Sequence, residues 1–175
     1  MQIFVSDKGY VFIAAMKSVS EFPKALGFFA KEVGVPEAII ADSHKFHKSK
    51  EVRQFCHKIG TTLRVLKGLT QCANRAELYV GLFKEAVRKD MLQENFPLVF
   101  WDYCAESRAA ITNMTSKDLF HFQGQTPHFA TFGEEGDISN ICQFGWYEWV
   151  YFRETTAKFP FPARVLGRCL WCIRP

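Results

Sequence analysis

The chain opens with two runs of β-branched and aromatic residues, Gln2–Ser6 and Tyr10–Met16, separated by Asp7-Lys8-Gly9. Strand side chains alternate between faces, and Gly at the end of a short polar loop supplies the positive φ of a tight reversal, so this pattern predicts a β-hairpin. The period then lengthens. Phe22, Leu26, Phe29, Ala30 and Val33 recur at helical spacing, with Ser18 or Ser20 as the expected N-cap and Gly34 as the stop. After Pro36, Ala38–Ala41 is a short continuous apolar run, the signature of a buried strand, and Asp42 follows at its end. A second helix is predicted from Ser49 to Lys58 with its stop at Gly60, then a strand over Thr61–Leu66 and a loop over Gly68–Asn74. A long helix runs from Arg75 to Met91, and another from Pro97, placed in its first turn, to about Asn113. Strands alternating with helices predict an α/β domain.

Downstream of Thr126-Pro127 the texture changes. Ile138–Phe144, Trp146–Arg153 and Arg164–Leu170 are short aromatic-rich runs divided by Gly and Pro, which predicts a small β-rich module. Trp146, Tyr147, Trp149, Tyr151 and Phe152 alternate along one of these runs, as residues do when one side faces a core and the other a contact surface. The expected organisation is therefore an α/β domain over residues 1–124 and the β module over 125–175.

Composition narrows the class. Apolar residues make up 48% of 175 residues and aromatics 15%, which excludes a disordered chain. Lys8, Lys17, Lys24 and Lys31 interrupt the most hydrophobic region, so no segment approaches a membrane span and no membrane partner is expected. The N-terminus lacks the pattern of a secretory leader, and six Cys at irregular spacing read as reduced thiols of an intracellular protein. Cys169 and Cys172 form a lone pair with no second pair at zinc spacing. His44, His47, Cys56 and His57 can be grouped as a metal site on paper, but histidines on a basic face are the simpler reading.

The net charge of +4 is unevenly spread: the stretch from Asp42 to Lys89 carries a net +7 and the remainder a net −3. A basic central third in an otherwise acidic chain is how a polyanion-binding face appears in one dimension, although a solvated surface has the same composition. Lys45, Lys48, Asn74, Arg75, Lys84 and Arg88 are its candidate nucleic-acid contacts.

Asp42 and Glu77 are the acidic residues set apart by position, one closing an apolar strand and the other opening a helix after a polar loop. Carboxylates brought together from such places can share divalent cations, and a two-metal site activates the attacking oxygen and steadies the leaving one in phosphoryl transfer. Helical spacing places Glu77, Gly81, Lys84 and Arg88 on one face, while Tyr79, Val80, Phe83, Ala86 and Val87 are expected to pack on a sheet. A carboxylate beside a gap and two cations would let a phosphate backbone approach.

In order along the chain, IIAD ending at Asp42, a helix containing EVRQFC, the strand TTLRVL, and TQCANRAE leading to Glu77 resemble the second and third catalytic stations of copia-type retrotransposon integrases. ELYVGLFKEAVRKDM, FPLVFWDYCAESRAAITNMTSKDLF and QTPHFATFGEEGDISNICQFGWYEWVYF are similar to the segments that follow in that family. Some positions depart from its pattern: Gln71 stands where Pro is usual, Arg75 where Gly is common, and Ser43 where Asn is usual.

The resemblance implies a ribonuclease H-like mixed sheet flanked by helices over residues 1–124, followed by a small partial β-barrel module. It further implies Mg²⁺ or Mn²⁺ at Asp42 and Glu77 as catalytic and metal-binding residues, joining of a DNA 3′-hydroxyl to a target phosphodiester, action on nuclear DNA, and self-association as a homo-oligomer. In that family the first catalytic Asp lies on a strand upstream of the one starting here at Gln2, so the core is expected to lack its first strand and to be inactive. Asp7 matches the hairpin turn instead. The other reading left open is a non-catalytic nucleic-acid-binding or assembly module, or a relic of a transposable element.

Overall fold

The two N-terminal runs pair as antiparallel strands, β1 (Gln2–Val5) and β2 (Val11–Ala14), in a register from Gln2 opposite Ala14 to Val5 opposite Val11. The reversal depends on Gly9, whose φ of 70° is the left-handed conformation that a Cβ disfavours. Ser6 closes the turn by donating its N–H to the Tyr10 carbonyl at 2.9 Å and accepting the Tyr10 N–H on Oγ at 3.0 Å. This computed structural model describes residues 1–41, 49–66, 75–93, 95–116, 123–139, 147–153 and 164–168.

Helix α1 (Phe22–Glu32) follows, entered through a single 3-10 turn at Val19–Glu21. Neither Ser18 nor Ser20 caps it as expected; their hydroxyls bond each other at 2.5 Å. Pro23 in the first turn has no N–H to satisfy, which lowers the demand for a cap. The predicted face is the buried one, with Phe22, Ala25, Leu26 and Phe29 all turned inward.

Strand β3 (Ala38–Ala41) and strand β4 (Thr62–Val65) are parallel and are joined through helix α2 (Lys50–Lys58). Parallel neighbours need such a crossover, because the chain must return to the starting edge. Ser49 caps α2 by accepting the Val52 N–H, and Gly60, at φ 77°, ends it. Thr61 is buried and satisfied, its hydroxyl donating to the Pro36 carbonyl at 2.9 Å. One expectation fails here. β3 is not buried throughout: Ala38 is exposed and Ile40 is 55% exposed, because the core covers one face of the strand, which among the described residues pairs with β4.

A single apolar cluster joins these pieces. Phe4, Ala14, Phe22, Ala25, Leu26, Phe29, Val52 and Cys56 form its buried centre, with Phe12, Ile39, Phe55 and Leu63 packed around them. Phe4 stacks on Phe29 with ring centroids 5.1 Å apart and meets Phe22 at 5.8 Å. The hairpin, both helices and the parallel pair thus share one core, although no ladder joins β1 to β3 among the described residues. The expected mixed sheet is therefore an antiparallel and a parallel pair on common packing.

The chain divides into two compact units, Met1–Glu85 and Ala86–Pro175, and the division falls inside the long helix α3 (Arg75–Gln93). In the second unit α3 lies against α4 (Trp101–Met114). Small buried residues on α4, Cys104, Ala105 and Ala109, permit close approach. The Cys104 thiol donates to the Val87 carbonyl at 3.8 Å, and burial pushes its pKa up to about 11, so it stays protonated. Arg108 grips Asp90 with two parallel bonds, Nε to Oδ2 at 2.6 Å and Nη2 to Oδ1, the paired geometry in which a charged hydrogen bond is strongest.

Pro97 does not open this helix as expected. It is extended, with ψ 128°, and leads into a 3-10 turn at Leu98–Phe100 before α4 begins. Helix α5 (Pro127–Phe132) is capped by Thr126, whose Oγ1 accepts the Phe129 N–H at 3.1 Å. Of the β-rich region, the described residues show one antiparallel pair, β5 (Trp149–Arg153) with β6 (Arg164–Arg168), and no closed barrel. Ile138 and Ser139 are not in a strand; Ser139 is helical, and the Asp137 carboxylate accepts its N–H at 2.8 Å. The rest of the Ile138–Phe144 run and the Gly68–Asn74 loop lie outside the described residues.

Leu26 is fully buried at the centre of the cluster. Leu26→Ala should lower stability by about 2–5 kcal/mol, read as a drop in the urea midpoint.

Candidate functional site

Two parallel strands end on the same edge of their sheet, and that edge is where α/β folds place ligands. β3 and β4 end together, Ala41 opposite Val65, and the Leu66 N–H extends the ladder to the Ala41 carbonyl at 2.9 Å. Asp42 is the next residue after Ala41, and α3 is the next helix after β4. The topology β3-α2-β4-α3 therefore sends the chain toward both candidate carboxylates from one sheet edge. Asp42 itself, Lys45, Lys48 and Asn74 lie outside the described residues, as do His44, His47, Cys169 and Cys172. Arg75 begins α3, and its side chain is likewise outside the description.

Glu77 sits in the first turn of α3 and is exposed. An acid there is favoured by the unpaired N–H groups of the helix start. Gly81, Lys84 and Arg88 follow on the same face, and all are exposed, as the spacing predicted. A Cβ built on Gly81 would meet nothing within 4 Å, so the helix is bare between the carboxylate and the cations.

The packed side of α3 carries Phe83, Val87 and Met91, all buried, while Tyr79, Val80 and Ala86 are half-buried. Sequence reasoning missed a second apolar stripe. Leu78, Leu82 and Leu92 are exposed, on the side of the helix opposite the packed one. The signal was present as leucines outside the i, i+4 row of the core face, but amphipathic reading assigns apolar residues to one face by default.

The other candidates separate clearly. Cys56 is 1% exposed inside the apolar cluster, where burial raises its thiol pKa, while His57 is exposed on α2; they do not share an environment. Asp7 is exposed in the β1–β2 turn, with Oδ1 accepting the Lys8 N–H at 3.0 Å, a local turn role. Among the described residues no three His, Cys, Asp or Glu side chains gather as a metal site. Glu77 alone of the proposed pair is described, and its donor type, an accessible carboxylate oxygen, suits a hard cation such as Mg²⁺. No helix among the described residues is long and apolar enough to cross a membrane.

No protein-family model and no curated protein sequence matches the chain. Solved structures do. The chain is similar to the integrase catalytic core domain of HTLV-2, solved in complex with magnesium in a trimeric form, with a TM-score of 0.57 and 20% identity over 74% of this chain and 82% of that one. It is also similar to a chain of the simian T-cell lymphotropic virus intasome in complex with the PP2A regulatory subunit B56 gamma, with a TM-score of 0.58 and 14% identity over 95% of this chain. There it spans 62% of the matched chain. At these identities the likeness concerns architecture: the chain has an α/β, ribonuclease H-like fold of the integrase catalytic core type.

Proposed function

We infer that this protein is an integrase-type DNA-binding core of copia-type retrotransposon ancestry, with Asp42 and Glu77 as its metal-holding carboxylates. The observation that carries this reading is the shared edge: Asp42 follows β3, Glu77 opens the helix after β4, and β3 and β4 are parallel neighbours. The architectural likeness to retroviral integrases, one of them solved with magnesium, supports it. Mg²⁺ at such a site would polarise the scissile phosphate and activate the attacking oxygen. This chain's own part is to hold the cation by carboxylate oxygens, and to position the DNA backbone against Lys84 and Arg88 across the gap at Gly81.

Lys45, Lys48, Asn74 and Arg75 extend the contact along the backbone, and the β5–β6 pair belongs to the small β module proposed for residues 125–175. Nuclear DNA is the substrate this reading implies. Strand transfer needs a third carboxylate beside Asp42 and Glu77, and Asp7, tied to its own turn, does not provide it. The proposed role of these residues is therefore to hold a divalent cation and to bind DNA beside it.

DNA binding should weaken steeply with salt, each neutralised phosphate adding about −0.9 to the log–log slope. Lys84→Ala with Arg88→Ala should reduce that slope by about 2, measured by fluorescence anisotropy at several salt concentrations; an unchanged slope removes the basic-face proposal. Gly81→Ala separates fold from function: it should stabilise α3 by about 0.5–1 kcal/mol, since nothing lies near the new methyl, while lowering DNA affinity. Unchanged affinity in that variant would show that the backbone does not use the gap. Calorimetric titration with Mg²⁺ should give binding that Asp42→Asn and Glu77→Gln each weaken by about tenfold or more, a loss of roughly 1.4 kcal/mol. Equal affinity in all three proteins would remove the metal assignment.

A further inference from the structure

We draw no further inference here: the strongest candidate, the exposed leucine row of α3 at Leu78, Leu82 and Leu92, is an apolar surface patch, and nothing in the structure shows what covers it.

Discussion

The apolar cluster centred on Phe4, Leu26 and Val52 is the constraint from which the first unit follows. A two-stranded hairpin alone is marginal in water, and so is a pair of parallel strands with one crossover helix. Here neither stands alone. Phe4 and Ala14 reach the cluster from the hairpin, Leu26 and Phe29 from α1, Val52 and Cys56 from α2, and Ile39 and Leu63 pack on it from the parallel pair. Each element buries its apolar side only because the others are present, so the cooperativity of this unit resides in that contact set.

The cluster packs α1 and α2 together with the hairpin and the parallel pair, while the Leu66-to-Ala41 bond keeps the ends of β3 and β4 together. Polar residues that follow a strand end can turn to solvent without disturbing the packing beneath. The core therefore tolerates an acid directly after an apolar strand and a loop leading to an acid-bearing helix. The same economy applies to α3, where Phe83, Val87 and Met91 anchor one side and leave the remainder of the surface available for contacts.

Arg108 of α4 grips Asp90, which sets the side that the C-terminal half of α3 turns toward α4. Glu77, Lys84 and Arg88 occupy one exposed side, and the leucine row occupies another. A helix with three distinct faces can anchor a core and still leave two surfaces exposed, provided its register is fixed. The Asp90–Arg108 pair and the small buried residues of α4 provide that register within the second unit.

Much of this was readable from residue order alone. The hairpin with Gly9 at its turn, α1 with Phe22, Leu26 and Phe29 inward, the Ser49 cap and Gly60 stop of α2, and the exposed face of α3 follow from periodicities and turn chemistry that act within a few residues. Long-range relations were not written there. That β3 pairs with β4 and leaves Ile40 open depends on which strands find one another and which face the core covers, and no local pattern encodes either. The exposure of Leu78, Leu82 and Leu92 likewise appears only when the helix is seated, because sequence gives the angles between side chains but not which side meets the core. Local propensity determined the elements; tertiary packing decided which of their faces remained available for function.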